Sequence, residues 1–569
     1  MRKLFIKHHY IATTFYFLIL TIIFTRPLVN NIATHTVGGF GDNLYFMWII
    51  GWTKQALFDL GQLPHKSFLL NHPYGYHLVT TEISPLQILF ALPITLLTDN
   101  PVLGYNVAIL ATFIFSGLTM YFWVFRLTRS YGAALVASTA FAFLPYHIAH
   151  FLSGHQNISA IQWFPLYFMG FIQILNSKEF KWKNVLLFVF SLACIAFTSQ
   201  YYLYMSLFIS FVTMLILIFQ KNYRNNFEMW KQFVVVGFLS LPLLLVAVGP
   251  YYLVHRGANS VRRLEDVMQY SAGFTDYLLP FTKSIWAGKW VSNNFPRALW
   301  NEATLYLGIS VIVLALYGFF KNKNEYRKTV IHVISIIALI AFILSFGTNL
   351  TWMEEPVVIT TPDWLKHVIT KDSFYLFLPG YLLFRYFPFY NIMRAWMRFG
   401  IIVMTMMCVM AGIGVFELLK HFNKKMRFFV VIALIGIVIL DFMNTPFSIV
   451  EVKPREVDRW LYTQPDGGQV QLPFGESFNQ STIYYTLSNQ KPLIGQVPAF
   501  PSHRYFKLES ILRNFPDQTS VEALKTAQIR YIILNEDSYI VNEDFQRKCE
   551  ELGLQYEGSF DGKSVFIIQ

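Results

Sequence analysis

Eleven stretches of this 569-residue chain are apolar over lengths close to the thickness of a bilayer. A bilayer-crossing helix needs about 17 to 25 such residues. The runs lie near 10–25, 102–126, 131–149, 158–176, 184–200, 201–220, 232–253, 304–320, 329–347, 397–420 and 427–444. No soluble core buries that many. Only 14% of the residues are charged and mean hydropathy is +0.42, whereas soluble domains carry roughly a quarter charged residues. A single soluble core, a disulfide-stapled secreted fold and a disordered chain are thereby excluded. The expected fold class is a polytopic α-helical membrane protein of about 11 spans.

Three cysteines, Cys194, Cys408 and Cys549, are too few and too scattered for a disulfide framework or a thiolate metal site. The net charge of +12 fits cytoplasmic loops and contacts with anionic lipid. Nucleic acid is not implied. The N-terminus, MRKLFIKHH followed by the apolar Tyr10–Phe24, has the look of a signal peptide. It runs straight into Thr25-Arg26-Pro27 with no small-residue cleavage site, so a retained first helix is expected.

Orientation follows from where Lys and Arg gather. Short basic connections are Arg126/Arg129, Lys178/Lys181/Lys183, Lys221/Arg224/Lys231, Lys321/Lys323/Arg327/Lys328 and Lys420/Lys424/Lys425/Arg427. With these and the N-terminus in the cytoplasm, the loops 26–101, 147–157, 254–303 and 348–396 face outward, as does everything after 445. The alternation closes if segment 83–98, with Pro85 and Pro93, lies in the interface or dips in and returns. The membrane cores hold almost no ionisable residues (Asp441 and Glu417 fall near helix ends), so any chemistry is expected at the external face.

From about Ser448 the texture changes to a small extracytoplasmic α/β domain, which divides the chain into 1–447 and 448–569. Gln469–Phe474 reads as a strand, followed by a loop rich in Pro and Gly through Phe500-Pro501. Thr519/Ser520 cap an expected helix at Val521–Ala527, and Ile529–Leu534 has a buried-strand pattern. Asn542–Leu552 is an amphipathic helix, and Leu554–Phe560 with Ser564–Ile568 flank an Asp561-Gly562 turn as a hairpin.

The first external loop contains Gly38-Gly39-Phe40-Gly41-Asp42-Asn43, then a Trp-rich amphipathic stretch with Trp48 and Trp52. Aromatics at headgroup level would hold the Asp42 carboxylate just above the bilayer. Two roles fit it: a helix N-cap, which Asp often fills, or a catalytic carboxylate. An Asp soon after the first span, many spans and an external C-terminal domain resemble the GT-C glycosyltransferases. That group includes protein mannosyltransferases, the aminoarabinose transferase of lipid A and the oligosaccharyltransferase catalytic subunit. Gly41-Asp42-Asn43 with Trp48, Asn71-His72-Pro73-Tyr74-Gly75 and Arg394-Ala395-Trp396-Met397-Arg398-Phe399 resemble bacterial members.

The resemblance implies transfer of a sugar from a polyprenyl-phosphate donor to a cell-envelope glycan, lipid or protein acceptor. It favours Asp42 as the general base, and a single displacement at the anomeric carbon would invert configuration. Glu82 and His155 are the other residues expected to work beside Asp42. A departing phosphate needs a cationic clamp, for which the external arginines Arg256, Arg262, Arg394 and Arg398 are available. Arg394 and Arg398, four apart, would share one helix face and present paired guanidinium forks; alternatively they snorkel to headgroups.

Metal-dependent relatives place an acidic motif in the second external loop, but Pro145–Asn157 has no carboxylate. No metal or other cofactor is therefore expected. His147 and His150 are three apart, a metal-compatible spacing with no third ligand evident, and hydrogen bonding to substrate or loops is the other role open to them. Most aromatics are lipid-facing or core filler; a minority near the outer face, such as Tyr74, Tyr76 and Trp163, are able to stack on sugar rings, and nothing in the sequence selects them. Two further readings are a transporter or flippase of lipid-linked glycans and a non-catalytic glycan-assembly partner. Ion-coupled transporters carry mid-membrane charges or repeated halves, neither of which stands out here. Few cysteines and compact loops fit a bacterial plasma membrane.

Overall fold

Lipid offers no partner to a backbone N–H or C=O, so an apolar segment that crosses it must close its own hydrogen bonds as a helix. The computed structural model describes residues 2–256, 262–295, 297–367, 371–475, 482–495 and 503–569. Among the described residues, seven helices are long and apolar enough to cross a membrane: Pro101–Thr128, Tyr131–Leu152, Gln156–Leu175, Gln200–Leu217, Phe227–His255, Glu325–Ser345 and Trp396–Leu419. Shorter apolar helices are His9–Phe24, Pro85–Thr98, Trp182–Ala196 and Ile309–Lys321. The chain is a multi-pass membrane protein. The expected count of about 11 spans is met only in part, because several expected runs form helices shorter than a bilayer is thick. The run expected at 427–444 is the helix Lys424–Phe442, which carries Lys424, Lys425, Arg427 and Asp441 along with its apolar residues.

Helix Pro85–Thr98 has 14 residues, about 21 Å of rise, against a hydrocarbon core of about 30 Å. It turns back through Asp99 and Asn100 onto the start of helix Pro101–Thr128, where Gly104 lies against Ala91 and Thr95.

The helices sort by their surroundings. Tyr131–Leu152 and Trp396–Leu419 lie almost wholly inside the bundle, while Phe227–His255 is largely on its outside. Without a hydrophobic drive between helices in lipid, close backbone approach through small residues holds such a core. A Cβ on Gly414 would run into the Leu314 carbonyl oxygen, and one on Gly318 would lie 2.6 Å from the Gly414 nitrogen. Helices Ile309–Lys321 and Gly400–Leu419 therefore touch backbone to backbone. At the N-terminal end of the first of these, the Asp441 carboxylate accepts from Ser310 N at 3.0 Å, Ser310 Oγ at 2.7 Å and the Tyr306 hydroxyl at 2.8 Å.

The C-terminal part carries a four-stranded sheet in the order 554–560, 563–568, 529–535, 468–472. The first three strands are antiparallel neighbours, and 468–472 runs parallel to 529–535. Apolar clusters cover both faces: Val470, Leu472, Ile532 and Phe566 on one, Val457, Leu461, Ile533 and Val565 on the other. The expected strands, the hairpin at Asp561-Gly562 and both helices are present. The helix cap differs: Asp517, not Thr519 or Ser520, is the N-cap of Gln518–Thr526, and Ser520 closes a reciprocal capping box with it. Of the expected loop through Phe500-Pro501, residues 482–495 are described and include a short helix, Thr486–Asn489, while 476–481 and 496–502 lie outside the described residues.

This sheet is joined to the first long loop. Strand His35–Val37 pairs antiparallel with Ile449–Glu451, Trp48 Nε1 donates to Thr486 Oγ1 at 2.9 Å, and Leu70 bridges Leu493.

Candidate active site

The loop that carries Asp42 is tied down by its neighbour. Asn43 is buried, and its Nδ2 donates to Thr36 Oγ1 at 3.0 Å, Val37 O at 3.2 Å and Gly39 O at 2.8 Å, while its Oδ1 accepts from Gly41 N at 2.9 Å. Helix Asp42–Lys54 follows, with Asn43 through Thr53 all buried. The N-cap is Gly41, and no side chain caps the helix. The capping role open to Asp42 in the sequence is thus not what its carboxylate does here. That carboxylate stands 47% exposed in the first turn, where the helix dipole favours negative charge.

A second loop is brought against it by a glycine. Gly154 sits at φ +73°, and a Cβ there would lie 2.8 Å from Asn43 N; the Tyr105 hydroxyl donates to its carbonyl at 3.1 Å. The next residue, His155, places Nε2 3.5 Å from Asp42 Oδ2. Its Nδ1 is 2.9 Å from Nδ1 of the fully buried His150, whose Nε2 in turn is 3.8 Å from Glu302 Oε2. Arg398 closes the row: its Nε donates to both Glu302 oxygens, at 3.2 and 3.0 Å, and its Nη2 to Oε1. A half-exposed carboxylate is thereby linked through two imidazoles to a buried ion pair.

Burial pushes the His155 imidazole below its ordinary value, with the Asp42 and Glu302 carboxylates pulling the other way. For Glu302, burial works against the ionised form, but Arg398 and His150 outweigh it and hold the carboxyl down at about 2. Glu302 is thus an anion at neutral pH.

The other predicted residues fall in different places. Glu82 is partly buried and accepts from four donors: Asn157 Nδ2, Gln200 N, Ser199 Oγ at 3.0 Å and Tyr201 N at 3.2 Å. It caps the start of helix Gln200–Leu217 and anchors Tyr201, and burial raises its pKa despite those bonds. Asp42 is not among its partners. Arg394 and Arg398 do not share a helix face, because 396–399 is a tight 3₁₀ turn and Arg394 precedes it. Arg398 lies over the Tyr201 ring at 4.8 Å, whereas Arg394 lies over Tyr270 at 4.3 Å and donates its backbone N–H to the Tyr201 hydroxyl at 3.2 Å. The Arg262 backbone N–H donates to Asn391 O at 2.8 Å, and burial lowers the pKa of its guanidinium, on which Tyr201 and Arg394 also act. Arg256 is exposed at the end of helix Phe227–His255.

His147 turns away from His150. Its ring nitrogens meet Ala142 O at 2.8 Å and Thr112 Oγ1 at 2.9 Å, and the ring stacks on Phe113. Of the three aromatics, Tyr76 and Trp163 are buried and Tyr74 is exposed. Sequence reasoning missed Glu302 and Tyr201. The one signal for Glu302 was an isolated acid directly before an apolar run in an external loop. Among the described residues, His150, His155 and Glu302 form a group able to hold a metal ion, with one ligand atom from each within 4.8 Å of the others.

Residues 49–413 match the family model described as Domain of unknown function (DUF6311). The chain belongs to this family. His150, His155, Glu302 and Arg398 lie inside the matched stretch, and Asp42 lies just before it. A search of curated proteins finds no match. Among solved structures, the mycobacterial arabinofuranosyltransferase AftD is similar at 11% identity and a TM-score of 0.60, over 99% of this chain and 40% of that one. The oligosaccharyltransferase of Archaeoglobus fulgidus is similar at 12% identity and a TM-score of 0.55, over 99% of this chain and 75% of that one. The DUF6311 chain therefore spans about two fifths of the length of AftD. These likenesses are of fold alone.

Proposed function

We propose that this protein is an integral-membrane glycosyltransferase that moves a hexosyl or pentosyl unit from a polyprenyl-phosphate donor to a cell-envelope acceptor. The observation that carries the reading is Asp42: a half-exposed carboxylate on a buried helix, without a capping bond, facing His155 at 3.5 Å. The two proteins of like fold named above are, by name, glycosyl-transferring enzymes. The site belongs to the outer face of a bacterial plasma membrane, with the N-terminus in the cytoplasm and 448–569 as an extracytoplasmic domain beside it.

In this mechanism the acceptor's O–H or N–H lies within hydrogen-bond reach of Asp42, which takes the proton as attack begins. The acceptor atom bonds to the anomeric carbon as the bond to the phosphate oxygen breaks, so configuration inverts. The electron pair leaves on the phosphate, where fixed cations stabilise the growing charge. Arg394 and Arg262 serve that end, with Arg256 at the rim. Arg398 is held by Glu302 and acts by fixing the frame. A lipid-facing groove holds the prenyl chain, so that donor and acceptor meet in one geometry.

Sugar transfer in membranes fed radiolabelled polyprenyl-phosphate sugars tests the reading, with wild type beside Asp42→Asn at matched expression. Loss of transfer in a folded Asp42→Asn protein is expected. Equal activity would remove Asp42 as the base.

A further inference from the structure

Two of the basic connections between helices meet at one cleft. Arg129 follows helix Pro101–Thr128, while Lys420 and Arg427 flank the link between Gly400–Leu419 and Lys424–Phe442. All three line a cleft of about 520 Å³. Its remaining walls are mostly apolar, among them Leu135, Phe416, Leu419, Val431 and Ile435. Ile435 lies two turns beyond Arg427, about 12 Å along the helix, so the cleft runs from a cationic end to an apolar one. Among the described residues, no carboxylate lines it. The nearest acid in sequence, Glu417, is already held by Arg327 at 3.3 Å and Lys420 at 2.5 Å.

The cleft stands far from Asp42. Tyr105, near the start of Pro101–Thr128, donates to the Gly154 carbonyl beside His155. Arg129 is about 36 Å further along that helix at 1.5 Å per residue, more than the thickness of a hydrocarbon core. It is therefore at the opposite membrane surface. Its backbone sits at φ +57°, a left-handed position after a helix where glycine is usual and a side chain brings strain. No described residue gives its guanidinium a carboxylate or a hydrogen bond. Arg427 Nε donates to Phe422 O at 3.0 Å, which steadies the fork and leaves its Nη groups available.

We propose that this cleft binds one anionic glycerophospholipid, its phosphate held by Arg129 and Arg427 and an acyl chain lying along Val431 and Ile435. Guanidinium forks match phosphate oxygens, and basic pockets between spanning helices hold anionic headgroups. A small anion would leave the apolar walls uncovered, and a neutral lipid would leave the cations unmatched. Phe428 and Ile432, which also line the cleft, are 64% and 52% exposed, so it opens sideways to lipid. The site is independent of sugar transfer. Only its assignment to the cytoplasmic leaflet rests on the orientation proposed above.

Native mass spectrometry of the full chain in neutral detergent, titrated with phosphatidylglycerol or phosphatidylcholine, tests the site. Phosphatidylglycerol should bind at least tenfold more tightly. Its affinity should fall about fivefold in Arg129→Gln and again in Arg427→Gln, the scale of one basic residue at an anionic surface. Lys231→Gln, at an exposed cation outside the cleft, should bind as the wild type does. Inorganic phosphate at millimolar concentration should not displace the lipid. Both arginines are exposed, thermal unfolding checks that each variant is folded, and two independent variants keep the test valid if one misfolds. Equal affinity for the two lipids, an equal fall in Lys231→Gln, or no fall in either arginine variant would overturn the proposal. Displacement by inorganic phosphate would overturn it in favour of a free-anion site.

Discussion

Replacing Glu302 with Gln keeps its size and removes its charge, which leaves Arg398 without its counter-ion. Arg398 is only 9% exposed and Glu302 2%, so water cannot take over. Breaking one side of a buried pair costs about 3–5 kcal/mol, because the remaining charge stays desolvated. Folded proteins hold a net stability of about 5–15 kcal/mol, so the loss is a large share of the total. Removing both partners behaves differently: Glu302→Gln with Arg398→Met no longer buries an orphan charge, and the double variant should be more stable than Glu302→Gln alone. Unfolding of purified protein by SDS in mixed micelles, followed by tryptophan fluorescence, measures both variants against wild type. A loss below about 0.5 kcal/mol for Glu302→Gln, the scale of an ordinary surface change, would refute the reasoning. A double variant no better than the single one would refute it equally.

Gly154→Ala forces a Cβ toward Asn43 at a positive φ, which should cost about 1–3 kcal/mol and move His155 away from Asp42; a folded variant with wild-type transfer activity would contradict this. Val450→Pro removes a residue that pairs with Thr36 and takes out a backbone donor. Limited proteolysis should then cut between the first loop and the C-terminal sheet faster than in wild type, and an unchanged rate would argue that the strand pair is dispensable. Asp276 is pushed up to about 6 by burial, against the pull of Arg297 3.0 Å away. A raised carboxyl adds stability that is full below its ordinary 3.8 and lost as pH rises through about 6. Wild type should therefore lose stability relative to Asp276→Asn between those two values, by about 3 kcal/mol at one unit per 1.36 kcal/mol, and parallel thermal-midpoint curves would contradict this.

Long apolar runs were legible because a spanning helix answers only to local hydropathy. The strands at 529–534 and 554–560 were legible because their period is local too. Asp42 stood out by following a glycine-rich turn, and His155 by lying in the second external loop. The pairing of these residues was not legible. Glu302 meets His150 and Arg398 across sequence separations that no periodicity encodes, and Tyr201 joins Glu82 to Arg398 for the same reason. Arg394 and Arg398 looked like one helix face because a spacing of four implies α-helix, yet the chain there is a tighter turn. The cap at Gln518–Thr526 was misplaced because Ser520 is part of a reciprocal box whose first member, Asp517, precedes it.

The central claim, sugar transfer from a lipid-linked donor with Asp42 as base, is tested most directly with purified protein in proteoliposomes. These are supplied with defined polyprenyl-phosphate sugars and acceptors, and the product is quantified and its anomeric configuration read by NMR. The account predicts an inverted product from wild type and a rate lower by about 100-fold or more in Asp42→Asn, the scale of a lost general base. A retained configuration, equal rates in the two proteins, or no transfer from any donor that the protein still binds would contradict it.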